Sequence, residues 1–227
     1  METKPFVQAL LEAGAHYGFT KTRRHPSAKS FVIATKNKAD LINLEETAVQ
    51  VDAAKEVLRG MAAGGKIVIL VGTKTEAVDA IKNAATKMPG LYVTHRWVGG
   101  IITNFSEIRK RTGRLTTLRD EKSQGLLEKY TKKERLLLDR EMDKMERNFG
   151  GIVDMKKVPD LMIVVDPGKE EIAVTEARKM QIPVIAIANT DCDLTKIDFP
   201  IVMNDTSKAS INLVMETLAE AYANGRA

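Results

Sequence analysis

KIVILVGTKTEAVDAIKNAATKMPGLYVTH occupies residues 66–95. Its first run, KIVILVG (66–72), is apolar at consecutive positions, as in a strand buried on both faces. TEAVDAIKNAATKM (75–88) then puts Ala77, Ile81, Ala84 and Ala85 on one helical face. LYVTH (91–95) reads as a second strand. Strand, one-faced helix and strand together make a βαβ unit, and such a unit requires a parallel sheet.

The same alternation continues on both sides. DLMIVVD (160–166), PVIAIAN (183–189) and PIVM (200–203) read as further strands. EEIAVTEARKM (170–180) and SKASINLVMETLAEAYA (207–223) read as the helices between and after them. Upstream, EETAVQVDAAKEVLRGMAA (45–63) is a helix, and SFVIATKN (30–37) with ADLINL (39–44) is a hairpin or two short strands. The pattern predicts a doubly wound parallel α/β sandwich built from 1–103 and 150–227.

Residues 104–149 carry no strand signal. Phe105, Ile108, Thr112 and Leu115 recur at spacings of three and four, as do Leu138, Met142, Met145 and Phe149. Two such narrow apolar stripes predict an inserted antiparallel helical hairpin of coiled-coil width. Thr131 and Glu134 have the spacing of a capping box that starts its second helix, and Gly150-Gly151 stops it.

The chain of 227 residues is 44% hydrophobic, enough for a core, but only 5% aromatic, so the core must be mostly aliphatic. A single cysteine, Cys192, excludes an internal disulfide framework and fits a reducing compartment. No apolar run has signal-peptide or membrane-spanning length, which leads to the expectation of a soluble cytoplasmic protein without membrane partners. The net charge of +5 is unevenly spread: residues 1–149 are net +9 and residues 150–227 net −4. The asymmetry fits equally one face that meets a polyanion or a random scatter of solvated charge.

Candidate sites for free nucleotides and catalysis are poor. Gly60-Met-Ala-Ala-Gly-Gly65-Lys66 matches the P-loop pattern literally, but Ile67 lacks the metal-binding hydroxyl and the motif precedes a strand instead of following one. Gly72 and Lys74 stand at a strand-to-helix turn, where a helix N-terminus can meet a phosphate; for free nucleotides the preferred reading is an ordinary tight turn, and Lys74 is kept as an RNA contact. His16, His25 and His95 have no nucleophile partner by motif. Cys192 lies between Asp191 and Asp193, which should raise its thiol pKa. Asp191, Asp193 and Asp198 are the weak candidates for a hard cation, against the plainer reading of a solvated turn. No metal or other cofactor is expected.

Two acid-poor basic clusters stand out. GFTKTRRHPSAKS (18–30) carries Lys21, Arg23, Arg24, His25 and Lys29 on a loop, followed by Lys36 and Lys38. Arg96, Arg109, Lys110, Arg111, Arg114 and Arg119 face only Glu107 and Asp120. Together they read as a shared RNA footprint of phosphate contacts. Trp97, the only tryptophan, reads as a structural wedge where the hairpin leaves the sheet, and Gly99-Gly100 as the bend.

HRWVGGIITNF (95–105) resembles the HRWLGGxLTN signature of the bacterial small-subunit ribosomal protein two family. GAHYGF…HP (14–26), INLEET (42–47), GKIVILVGTK (65–74), YTKKE (130–134), the G-G-I-x-D-M-x-x-x-P-D run (150–160) and EARKMQIPVIAI (176–187) are similar to further family stretches. The resemblance covers nearly the whole chain. It implies a Rossmann-like, flavodoxin-like α/β domain with a protruding coiled coil, bound to small-subunit ribosomal RNA near the head–body junction. It also implies a non-catalytic, late-assembling component with neighbouring ribosomal proteins as partners, in some bacteria the large mRNA-binding subunit protein, and no DNA. Phe19 and His25 stand where the family often has His and Asn. NTDCDLT (189–195) departs from a DTNCDP-like run, and the tail after the last helix lacks the acidic extension of some members. A nucleotide-binding enzyme on the same fold and a protein scaffold acting through the hairpin are the competing readings.

Overall fold

The computed structural model describes residues 3–88 and 90–226. Five strands form one parallel sheet: β4 (Val68–Val71), β5 (Leu91–Val93), β6 (Leu161–Val165), β7 (Val184–Ala188) and β8 (Phe199–Val202). Their spatial order is β5-β4-β6-β7-β8, the doubly wound order that the βαβ pattern predicts. Pairing is in simple parallel register, with Ile69 beside Leu91 and Met162, and Ile163 beside Ile185.

Consecutive apolar residues are needed because alternate side chains enter different cores. Val68, Leu70, Leu161, Ile163, Val165, Ile185 and Ile187 point into one cluster with α2 (Leu44–Ala63), α3 (Thr75–Lys87) and α7 (Lys208–Gly225). Ile69, Val71, Met162, Val164, Val184 and Ala186 point into the other, against α6 (Glu171–Lys179) and the segment around Trp97 and Ile152. The period of two thus sets the three-layer sandwich.

A second, three-stranded sheet lies at the carboxyl end of the first. It comprises β1 (Tyr17–Thr20), β2 (Val32–Lys36) and β3 (Ala39–Ile42), in antiparallel order β1-β3-β2. The β2–β3 hairpin turns at Asn37 and Lys38, both left-handed with φ of 50° and 67°, the geometry of a two-residue primed turn. β1 and the N-terminal helix α1 (Thr3–Glu12) add to the elements that periodicity revealed. A small core of Ala28, Ile42, Ala188, Cys192, Leu194 and Val202 joins this sheet to the ends of β7 and β8.

Between β5 and β6 run α4 (Phe105–Ser123) and α5 (Lys132–Phe149). Ile108, Thr112, Leu115 and Leu118 of α4 are buried, and α5 contributes Phe149 with Leu138, Met142 and Met145 half-buried. Ion pairs Arg119–Glu146 and Lys122–Asp139 hold the helices side by side in opposite directions. The Thr131–Glu134 capping box forms with both of its hydrogen bonds. Gly151 follows α5 because a Cβ there would lie 2.3 Å from the Tyr92 carbonyl oxygen. Among the described residues, no helix is long and apolar enough to cross a membrane.

Candidate nucleic-acid interface

In a sheet of this order, the connections reverse direction between β4 and β6. The crevice outside their carboxyl ends is where such folds hold ligands. Here the chain's own side chains fill it. Lys74 Nζ lies 2.8 Å from Asp166 Oδ2 and 2.5 Å from Asp205 Oδ2, and Asn189 Nδ2 donates to Asp205 at 3.0 Å. Buried Glu170 accepts hydrogen bonds from the Thr73 amide and hydroxyl. Burial pulls the Lys74 pKa down, but its hydrogen bonds to Asp166 and Asp205 leave it raised. Burial pushes the Asp205 carboxyl up, more than Lys74 and Asn189 pull it down. The position that the sequence marks as a phosphate contact is therefore spent on an internal ion-pair cluster. The acids that neutralise Lys74 come from distant segments, which its local sequence cannot reveal. The literal P-loop match is the C-terminal turn of α2 and its exit, ahead of β4.

The loop after β5 is organised by Glu176 of α6, only 6% exposed. Its carboxylate accepts from Trp97 Nε1 at 3.2 Å and from the amides of Gly100, Ile102 and Thr103 at 2.7, 3.1 and 3.1 Å. The Thr103 hydroxyl adds a fifth donor. Burial raises the Glu176 pKa, but these donors outweigh it and hold the carboxyl below its ordinary value. Trp97 is 5% exposed and packs in the core below α6, the wedge position expected of it. Gly100 has φ of +97°, which a side chain would strain. Glu176 went unnoticed in the sequence. Its signal is a lone carboxylate on the buried helix face that also carries Ala173 and Ala177.

This scaffold leaves Arg96 exposed at the carboxyl end of β5. Arg111 and Arg114 of α4 line a recess with it, together with Lys144 of α5, which the sequence reading did not single out. Arg109 is two residues from Arg111, about 200° around the helix, and so lies on the opposite flank. Lys110 pairs with Glu107 at 2.6 Å, and Arg119 with Glu146. The second basic cluster thus divides. Arg96, Arg111 and Arg114 converge, whereas Lys110 and Arg119 are already neutralised.

The first cluster sits on the small sheet at the carboxyl ends of β7 and β8. The Phe19 amide donates to Thr190 Oγ1 and the His25 amide to the Thr190 carbonyl. Arg24 reaches buried Asp40 at 3.4 Å, and Arg23 pairs with Asp191 at 3.5 Å while stacking 4.4 Å over the Phe19 ring. His25 caps the turn Pro26–Phe31 and lies 3.9 Å from Asp193. Lys21, Lys29, Lys36 and Lys38 are exposed, and among the described residues none of them forms an ion pair. Lys36 ends β2 and Lys38 lies in the hairpin turn.

The acidic loop does not converge on a point. Asp191 pairs with Arg23, Asp193 accepts from the Thr195 hydroxyl, and Asp198 accepts the Val184 amide at 2.8 Å. The Thr195 hydroxyl holds the Asp193 carboxyl below its ordinary value. Among the described residues no three metal-ligating side chains come together. Burial, reinforced by the Asp191 carboxylate, pushes the Cys192 thiol up to about 12.

The fold is a doubly wound sandwich whose switch-point crevice is filled by its own ion pairs, with exposed cations on the rim around it. Comparison with known proteins supplies the family. The ribosomal protein S2 family profile matches residues 10–225. The small ribosomal subunit protein uS2 of Nocardia farcinica is 44% identical over 219 residues, covering 96% of this chain and 77% of that protein. The protein of the same name from Wolinella succinogenes is 42% identical over 221 residues, covering 97% and 82%. The chain belongs to the ribosomal protein S2 family. It is a structural constituent of the small ribosomal subunit and not an enzyme.

Proposed function

We propose that the chain binds small-subunit ribosomal RNA near the head–body junction through two cationic patches on the carboxyl rim of its sheet. One patch is Lys21, Lys29, Lys36 and Lys38, with Arg23, Arg24 and His25 shaping the loop that carries them. The other is Arg96, Arg111 and Arg114, with Arg109 on the far flank of α4 and Lys110 set aside because it pairs with Glu107. Lys74 is left out because its charge is already balanced. In this reading, residues 104–149 act as an arm inserted into the α/β body of 1–103 and 150–227, and neighbouring ribosomal proteins, the large mRNA-binding subunit protein among them, meet the surfaces that RNA leaves free.

The observation that supports this best is the pairing pattern. Among the described residues, seven exposed cations on this rim (Lys21, Lys29, Lys36, Lys38, Arg96, Arg111 and Arg114) form no ion pair, although the chain carries 30 acidic residues. The sheet fixes the patches relative to each other. β5 and β7 are three strand spacings apart, roughly 14 Å. The test is occupancy of the protein on small subunits purified without it and then reconstituted. Reversing Arg96, Arg111 and Arg114 to Glu, or Lys21, Lys36 and Lys38 to Glu, lowers occupancy while thermal unfolding stays unchanged. Full occupancy for both variants refutes the proposal.

A further inference from the structure

The recess at the base of α4 and α5 has a chemistry that backbone phosphates alone would not use. Its volume is about 560 Å³, inside the roughly 300–1,000 Å³ range of pockets that bury a small ligand. Arg96, Arg111, Arg114 and Lys144 line it, with Glu141 the one carboxylate in its wall. The ion pairs of this region are Lys110–Glu107, Arg119–Glu146 and Lys122–Asp139, so among the described residues none of the four lining cations forms an ion pair. Apart from Asn148, the rest of the wall is apolar. Trp97 and Met145 lie within it, and Ile172 of α6, 59% exposed, stands at its edge.

A site for phosphate alone gains nothing from that apolar wall, and an apolar protein segment gains nothing from four cations. A nucleotide has both halves: a flat base that stacks on apolar and guanidinium surfaces, and a phosphate that needs cations. We propose that this recess seats one unstacked nucleotide of the RNA, its base against Ile172 and Met145 and its phosphates among Arg96, Arg111 and Arg114. The inference rests on the RNA-binding reading above and names what that patch selects. A continuous duplex keeps its bases stacked and cannot deliver one into a recess, so the recognised element is a bulge, loop or single strand.

Trp97 is the chain's only tryptophan, so its emission reports on the recess directly. The full chain is titrated with three RNA probes: a short duplex carrying one bulged adenosine, the same duplex with an abasic ribose at the bulge, and the fully paired duplex. The bulged probe binds at least about fivefold tighter than the abasic one, as the loss of one stacked base implies. It alone changes Trp97 emission. Ile172→Glu and Arg114→Ala, both at exposed positions, abolish the preference. Lys21→Ala with Lys36→Ala weakens all three probes and leaves the preference intact. Equal binding of the three probes with unchanged emission overturns the nucleotide recess but not RNA binding. No binding of any probe, even at low salt, overturns the RNA reading and this inference with it. If a poly-glutamate peptide changes Trp97 emission and the bulged probe does not, the recess belongs to an acidic protein segment and the proposal fails.

Discussion

Replacing Glu176 with alanine removes the acceptor that gathers the loop after β5. Five donors lose their partner: Trp97 Nε1, the Gly100, Ile102 and Thr103 amides, and the Thr103 hydroxyl. Those on Gly100 and Thr103 lie on partly or fully exposed residues and can turn to water. Those on Trp97 and Ile102, 5% and 1% exposed, cannot. An unsatisfied buried donor costs about 1–3 kcal/mol, so the pair costs about 2–6 kcal/mol. Taking about 4 kcal/mol, and about 2–4 °C per kcal/mol for a chain of this size, Tm falls by about 8–16 °C. Glu176→Gln keeps the shape but turns one acceptor into a donor, so it falls between wild type and alanine. The acid dependence has a definite sign. The folded carboxyl lies below the ordinary glutamate value of 4.5. Its stabilisation is therefore complete above that pH and is lost as pH falls through the folded value. Thermal melts from pH 7 to pH 3, with Trp97 emission as the local probe, measure all of this. A Glu176→Ala melt within about 2 °C of wild type, with unshifted Trp97 emission, refutes the assignment of Glu176 as the organiser of this loop.

Lys74→Met strands Asp166 and Asp205 without their cation and should cost about 3–5 kcal/mol in a urea melt, whereas adding Asp205→Asn recovers part of the loss. A double variant no more stable than the single one contradicts the ion-pair reading. Replacing Lys21, Lys36 and Lys38 with alanine should flatten the log–log salt dependence of RNA binding by about 2–3 units, as three lost phosphate contacts require; filter binding across a potassium chloride series reads the slope. The thiol of Cys192, 3% exposed and raised to about 12, should be about 1 part in 10⁴ thiolate at pH 8. A thiol-reactive chromophore should label it only in denaturant, and fast labelling of the native chain contradicts its placement.

The parallel sheet was readable from sequence because its strands are buried on both faces. Runs such as VILV and LMIVV have no other low-cost environment in a chain without a membrane-length segment. The capping box at Thr131 and Glu134 was equally legible, since it depends on two residues three apart. β1, YGFT, was not. It is four residues long, has no buried residue and pairs only with β3, so it has no periodicity to detect. At the interface, the acid-poor context of Lys21, Lys36 and Lys38 carried over from sequence to structure because their neighbours are local. Lys74 and Arg119 changed meaning because their partners, Asp205 and Glu146, arrive from other elements. Lys144 and Ile172 joined the recess for the same reason: helices α5 and α6 bring them there, and nothing within their own stretches points to it.

The two patches on the carboxyl rim are tested most directly by ultraviolet crosslinking of the protein within intact small subunits, followed by mapping of the crosslinked peptides. The account predicts RNA-linked peptides from the 21–38 region and from the 96–114 region. Crosslinks confined to the outer faces of α2, α3 and α7, with both rim patches unlinked, would contradict it.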